Sequence, residues 1–312
     1  MNATTAMAPS ILPLPFAAGN LRGLSERLLQ SHHQNNYAGA VKRLQAIRAQ
    51  LAALDWEAAP GFVINGLKRE ELIAANSMTL HELYFACIGG DGALKPSGKP
   101  AGFAVGLKRD FGSVERWRAE FIALAAAMGG GSGWALLSWS GREHRLVNHW
   151  AADHTHLLAG AAPLLALDMY EHAYHLDFGA NAKAYVAAFM ENIDWDAVAV
   201  RYAAAVEAST SSLVISRSEI GGKSSLPLID VRRKGAFEAS KELIAGADWR
   251  DPEAVDRWAA EFAGREIVVY CVYGHEVGQS TAARLREAGV SARFLAGGIE
   301  AWKAAGLPLR SK

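Results

Sequence analysis

Apolar positions recur three and four residues apart over residues 24–54, which places Tyr37, Val41, Leu44, Ile47 and Leu51 on one stripe of a predicted helix. His32, Asn36 and Ala40 fall on the neighbouring stripe, so polar groups border the core-facing one. A second helical pattern over residues 68–87 stacks Ser77, His81 and Phe85 at four-residue intervals. The glycines of Ile88-Gly89-Gly90-Asp91-Gly92 stop it. A third pattern covers residues 113–128 and breaks at Gly129-Gly130-Gly131-Ser132-Gly133. Beyond it, residues 134–140 and 144–150 read as two strands around Gly141-Arg142, and residues 163–168 as a third. Helical patterns at 182–193 and 195–208 close the region. Helices followed by a small antiparallel sheet predict an α+β fold.

After the polar break Ser209-Thr210-Ser211-Ser212 the rhythm changes. Residues 226–231, 266–271 and 292–295 read as buried strands, separated by helical patterns at 252–262, 280–288 and 299–305. This alternation predicts an α/β domain whose largely parallel sheet is covered on both faces. Two domains are therefore expected, 1–208 and 209–312.

Composition narrows the partners. The 32 acidic and 32 basic residues cancel, leaving no electrostatic footprint for nucleic acid or an anionic membrane surface. The two cysteines, Cys87 and Cys271, make no disulfide framework and fit a reducing compartment. Residues 1–16 carry neither a basic n-region nor a long apolar run, and no stretch is long and apolar enough to span a bilayer. A cytoplasmic location is the expectation.

The chemistry concentrates in the first region, where nine of the ten histidines lie between His32 and His175. Asp168 and His172 follow the apolar run at residues 163–167, and a hard oxygen beside a borderline nitrogen suits iron, manganese or zinc rather than copper(I) or an iron–sulfur cluster. His32 and His81 sit on helices whose faces can turn inward. Three neutral imidazoles and one carboxylate would leave a coordination position open for water, as redox or hydrolytic catalysis requires.

These residues also carry a resemblance. Ile11-Leu12-Pro13-Leu14-Pro15-Phe16, the stretch from Leu24-Ser25-Glu26 to His32-His33, Asn76 through His81-Glu82-Leu83-Tyr84-Phe85, Gly131-Ser132-Gly133-Trp134, and Pro163 through Asp168, Glu171, His172, Ala173 and Tyr174 together resemble the iron/manganese superoxide dismutases over residues 11–206. The resemblance implies one iron or manganese ion per subunit, held by His32, His81, Asp168 and His172. The implied activity converts superoxide to oxygen and hydrogen peroxide. It assigns His154 the place of the residue that donates to the metal-bound water, with His156 or His149 as substitutes, and it implies at least a homodimer in which Glu171 reaches His172 of a partner. This sequence departs from the family at three positions: Ala40 replaces the gateway tyrosine, Asn36 the channel histidine, and His175 the interface tyrosine. Asn36 and His175 would then form a swapped hydrogen bond, with Tyr37 filling volume. Tyr170 also stands where the signature usually has tryptophan.

In the second region Cys271 ends a strand and opens Val272-Tyr273-Gly274-His275-Glu276-Val277 ahead of a helix. Backbone amides and a helix N-terminus stabilise a thiolate, the form that accepts sulfur. Leu228-Ile229-Asp230-Val231-Arg232, the Cys271 loop, and Leu295-Ala296-Gly297-Gly298-Ile299-Glu300-Ala301-Trp302 resemble a rhodanese-like domain over residues 213–309. The resemblance implies a persulfide on Cys271. His275 is the one possible cation within the loop, and Glu276 adds a negative charge, so an anionic donor such as thiosulfate is not expected. Cys87 reads as a core residue. A superoxide dismutase joined to a rhodanese-like domain is the main expectation. The alternative is a sulfurtransferase or persulfide carrier acting through Cys271, with a metal-binding but weakly active first domain.

Overall fold

The computed structural model describes residues 8–94, 102–128, 131–210, 213–221 and 226–312. Gly129 and Gly130 of the predicted helix break, and Ser211 and Ser212 of the predicted boundary, lie outside the described residues. The chain divides into two compact units, residues Met1–Ser140 with Arg145–Arg201, and Gly141–His144 with Tyr202–Lys312.

The first unit begins with α1 (Glu26–Ser31), a π-helical segment (His32–Tyr37) and α2 (Ala38–Ala52), which run on as one helix. Ser25 caps it by accepting from Leu28 N at 3.1 Å. The expected single α-helix over residues 24–54 is corrected here by the π segment, in which Ala38 N also bonds His33 O. In an α-helix residues five apart point in different directions. The wider π turn brings them towards one side. His32 and Tyr37 are accordingly both buried, in register with Val41 and Leu44.

α3 (Gly61–Cys87) starts seven residues before the expected helix, because the apolar stripe that defined it weakens in the first two turns, where Gly61 and Phe62 are exposed. It packs antiparallel on α2 through Leu44, Ile47, Leu51 and Ala74. α4 (Phe103–Phe111), not predicted, is bounded by Gly102 and Gly112, both at positive φ. It precedes α5 (Val114–Ala127), which Ser113 caps through Arg116 N.

The strands β1 (Trp134–Ser140), β2 (Arg145–Ala151) and β3 (Ala161–Asp168) form an antiparallel sheet in the order β2-β1-β3. β1 is buried along its whole length, with α5 against it and α3 against β3. Its register sets Trp134 opposite Asp168. After β3 come a 3₁₀ turn (Glu171–Ala173), α6 (His175–Phe178), α7 (Ala182–Met190) and α8 (Trp195–Thr210).

The second unit contains β4 (Val214–Ile215), α9 (Arg217–Gly221), β5 (Leu228–Asp230), α10 (Lys234–Ala239), β6 (Glu242–Ile244), β7 (Asp248–Trp249), α11 (Val255–Trp258), β8 (Glu266–Tyr270), α12 (Glu276–Glu287), β9 (Ser291–Leu295), α13 (Gly298–Ala304) and β10 (Leu309–Ser311). Strands β4-β9-β8-β5-β7 pair in parallel, while β10 and β6 make a separate antiparallel pair. Alternation along β8 explains the covered faces: Ile267 and Val269 enter one core with Ala282, Ala283 and Leu285 of α12. Val268 and Tyr270 enter the other with Ile299 and Trp302 of α13. The helix expected at 252–262 is broken into a 3₁₀ turn, α11 and a second 3₁₀ turn. Among the described residues no helix is long and apolar enough to cross a membrane.

Candidate metal centre

Four elements deliver one side chain each to a common point. His32 comes from the π segment, His81 from the penultimate turns of α3, Asp168 from the end of β3, and His172 from the following 3₁₀ turn. Their ligand atoms all lie within 4.8 Å of one another. Asp168 Oδ2 stands 3.1 Å from His32 Nε2, 3.2 Å from His172 Nε2 and 3.5 Å from His81 Nε2. Donors bound at about 2.1 Å to one first-row ion lie about 3.0 Å apart at right angles and about 3.6 Å apart at 120°. The three Asp168 separations fall in that range.

Proton positions identify what the arrangement is built for. A carbonyl oxygen only accepts, so His81 Nδ1 must donate to Ser77 O at 2.6 Å. In the neutral ring that leaves a lone pair on Nε2, aimed at the carboxylate oxygen of Asp168 and at His172 Nε2, 3.5 Å away. Burial lowers the His81 pKa to about 3, so the neutral form prevails. Burial likewise lowers His32, against the opposing pull of Asp168. Burial alone would raise Asp168, but the contacts with His172 and His32 outweigh it and hold the carboxyl well below the usual range. A buried carboxylate facing the His81 lone pair is repulsive by itself. A cation among them reverses the sign, and the donor set fits iron or manganese.

The surrounding shell fixes these donors. Asp168 Oδ1 accepts from Tyr170 N at 2.8 Å, which leaves Oδ2 for the centre. Trp134, opposite Asp168 in the sheet, stands perpendicular to His81 with ring centroids 5.2 Å apart. Its Nε1 donates to His154 Nδ1 at 3.0 Å, so the remaining proton of neutral His154 sits on Nε2. Tyr170 stacks between His154 (5.0 Å) and His172 (5.4 Å), and burial raises its phenol to about 12. His32 packs on Tyr84 and Phe85, and Tyr84 meets Tyr185 hydroxyl to hydroxyl at 3.3 Å. The other two substitutes, His149 and His156, are engaged elsewhere, the first with Ser138 Oγ at 2.9 Å and the second beside Asp153.

Tyr37 does more than fill volume. Its hydroxyl donates to Glu82 Oε1 and accepts from Leu12 N, both at 2.9 Å, which ties the opening segment to both ligand helices. Ala40 is buried, Asn36 half-buried, and His175 and Glu171 are exposed.

In the metal-free protein the pKa shifts set a pH dependence. Unfolding returns His81 to its ordinary value of 6.5, so below that pH the unfolded chain binds a proton that the folded chain refuses down to about 3. Asp168 acts in the same direction below its ordinary 3.8, because its depressed carboxyl stays ionised in the folded chain. Stability is therefore full above 6.5 and lost as the pH falls. Calorimetry of metal-free protein is expected to show a loss of about 2 kcal/mol between about pH 7.5 and 5. A constant melting temperature across that window would contradict the assignment of neutral buried imidazoles.

In the second unit Cys271 follows β8 directly and is buried. Its loop lies backbone to backbone against the start of α13: Ile299 N donates to Cys271 O at 3.0 Å and Glu300 N to Val272 O at 3.1 Å. Gly298, at φ +57°, allows this approach, since a Cβ there would sit 2.4 Å from Cys271 O. α12 starts at Glu276, four residues earlier than expected, so its first turn borders the sulfur. A Cβ on Gly278 would meet Cys271 Sγ at 3.4 Å. At the end of β5, buried Asp230 accepts from Arg232 Nε and Nη2 and from the Tyr270 hydroxyl. The next residue, Arg233, pairs with Glu276 at 3.0 Å. Sequence reasoning missed Arg233, which stands 43 positions from its partner with no local signal to connect them. The other cysteine, Cys87, is fully buried, its thiol pushed up by burial and contacted by Arg201.

A helical hairpin on a three-stranded antiparallel sheet, with three imidazoles and a carboxylate converging between them, defines the first unit as a mononuclear metal-binding protein. Residues 100–201 match the family model for the C-terminal domain of iron/manganese superoxide dismutases, and residues 216–305 match that of the rhodanese-like domain. The chain is 61% identical to a superoxide dismutase [Fe] of Cupriavidus metallidurans over 194 residues, 62% of this chain and 96% of that protein. It is 35% identical to superoxide dismutase [Mn] 2 of Haloferax volcanii over 203 residues, 64% of this chain and 98% of the relative. A superoxide dismutase [Fe] of Aquifex aeolicus is 33% identical over 199 residues, 61% and 89% of the two chains. The chain belongs to the iron/manganese superoxide dismutase family and carries a rhodanese-like domain after it.

Proposed function

We propose that this protein dismutates superoxide, 2 O₂•⁻ + 2 H⁺ → O₂ + H₂O₂, at one iron ion held by His32, His81, Asp168 and His172. The observation that carries the reading is the convergence of three imidazoles on one buried carboxylate, with the His81 Nε2 lone pair facing Asp168 Oδ2 at 3.5 Å, a contact that a cation between them makes favourable. When bound, the metal supplies a one-electron couple that is reduced by one superoxide and oxidised by the next. The protein's part is to hold four donors in place, to keep water ordered beside them, and to deliver protons. His154 is the positioning residue for that water, since Trp134 fixes its tautomer with the proton on Nε2. Iron is chosen over manganese because the relative with 61% identity is the iron enzyme, whereas the manganese relative named above shares 35%.

The same reading places the boundary between the two domains at Ser209 and the protein in the cytoplasm as a homodimer. Exposed Glu171 in the 3₁₀ turn and His175 at the start of α6 support the dimer, with Glu171 turned to a partner's metal ligand and His175 available to a partner's Asn36. For the second domain, Cys271 is read as a sulfur-accepting thiol, supported by its seat against the first turn of α12. The test of the main reading is reconstitution with iron and with manganese separately, with metal content and superoxide consumption measured on each. Turnover per bound metal at least about tenfold higher with iron is expected, a difference of about 1.4 kcal/mol in the barrier. Stoichiometric metal of either kind without turnover would reject the dismutase reading.

A further inference from the structure

We propose that Glu276, held by Arg233, sets the charge selectivity of Cys271: it turns away anionic sulfur donors and leaves the thiol open to donors neutral at the reacting sulfur, such as the protonated form of a persulfide, R–S–SH. The inference rests on the reading of Cys271 as a sulfur-accepting thiol and extends it to the class of donor.

The geometry is local. His275 O lies 4.0 Å from Cys271 Sγ, and Glu276 is the next residue, at the first position of α12. The carboxylate is largely enclosed, with 15% of its side chain exposed, while Arg233 is 38% exposed and reaches it from beyond β5. The buried Arg232–Asp230 clamp, backed by Tyr270, fixes the chain just before Arg233, so the guanidinium is delivered to Glu276 rather than left to roam. A carboxylate in the first turn of a helix also interacts favourably with the helix dipole. The α12 amides favour an anion beside Cys271, and Glu276 occupies that favourable potential itself. An approaching anion therefore finds the N-terminus of α12 already carrying a carboxylate, and the guanidinium paired with it is already engaged. Exposed Tyr273 and His275 on the outer side of the loop leave an aromatic approach that carries no carboxylate.

Sulfur uptake from the expected donor balances without a further reagent. The Cys271 thiolate attacks the outer sulfur of R–S–SH, a new S–S bond forms, the R–S to SH bond breaks, and R–S⁻ leaves. From thiosulfate the same attack would release sulfite, but it requires a dianion to reach a thiolate beside Glu276.

Alkylation reads the filter without any sulfur donor. The thiolate attacks the methylene carbon of iodoacetamide or of iodoacetate, an S–C bond forms and iodide leaves; the two reagents differ chiefly in charge. Buried Cys87 stays unlabelled in the folded protein, which the Cys271→Ser variant verifies. A change in thiolate population moves both rates together, so their ratio isolates the approach of charge. In Glu276→Gln the iodoacetate to iodoacetamide rate ratio is expected to rise roughly three- to tenfold over wild type, and in Arg233→Gln to fall below it. The gain in Glu276→Gln should shrink as salt is raised to about 0.5 M, because screening removes the attraction to the released Arg233. Equal ratios in all three proteins, or parallel changes in both rates, would overturn the proposal. If Glu276→Gln does not fold, Arg233→Gln carries the test with the opposite sign. Persulfide formation on wild-type Cys271 from a small-molecule persulfide, read by mass, separately decides the sulfur-accepting role, so its failure is distinguishable from a failure of the charge filter.

Discussion

His81→Ala is expected to lower metal affinity by more than about 100-fold, because loss of a single supporting contact outside the ligand set already costs about 10- to 100-fold. Dismutation should disappear with the metal, while Cys271→Ser retains both. The size of the effect follows from where His81 sits. Its ring is buried, its Nδ1 is committed to Ser77 O, and its Nε2 is the donor opposite Asp168 and His172. Alanine leaves three donors and a cavity against Trp134, whose ring stands perpendicular to the lost imidazole. Elemental analysis after dialysis against a chelator, with superoxide consumption on the same sample, checks it. Full metal content in His81→Ala would place the ion elsewhere and dissolve the proposed centre.

Gly133→Ala should be the most damaging single-methyl change in the first unit. Gly133 sits at φ +133°, and a Cβ there would lie 2.2 Å from Ala151 O and 2.6 Å from Met128 Cε. The oxygen belongs to the end of β2 and cannot rotate away, so the strand itself must move. We expect a loss of about 3–5 kcal/mol, the scale of backbone strain combined with overpacking. For a unit of this size that is a fall in Tm of about 8–15 °C. The damage should reach the metal as well: Gly133 O accepts from Met169 N at 2.9 Å, beside Asp168, and Trp134 follows in β1. Gly66→Ala is the control, since a Cβ there meets nothing within 4 Å on an exposed helical face. It should instead stabilise by about 0.5–1 kcal/mol. Thermal melts of the two variants with and without metal test this, and similar Tm values would refute the close contact.

The candidate donors were legible because their chemistry is conspicuous and their local spacing is strong. Asp168 and His172 stand four apart after an apolar strand, and Ser77, His81 and Phe85 stack on one helical face. The Cys271 loop was legible for a similar reason, a thiol between a β run and a helical one. The first helix was harder to read. A period of 3.6 separates His32 from Tyr37, and the π segment that brings both inward leaves no mark in hydrophobic periodicity. α4 escaped because it is short and lies between glycines, and the 252–262 pattern looked continuous although its hydrogen bonding changes twice.

By itself the sequence determined the two fold classes, the buried stripes and the set of candidate donors, because periodicity and side-chain chemistry are local properties. Only the tertiary structure decided which of the nine clustered histidines meet at one point, with His32 and Asp168 in contact across 136 positions. It also decided that Trp134 orients His154 and that Arg233 closes on Glu276. Hydrogen-bond and ion-pair partners are chosen by packing between distant elements, and a one-dimensional pattern reports that a side chain is buried without reporting what it is buried against.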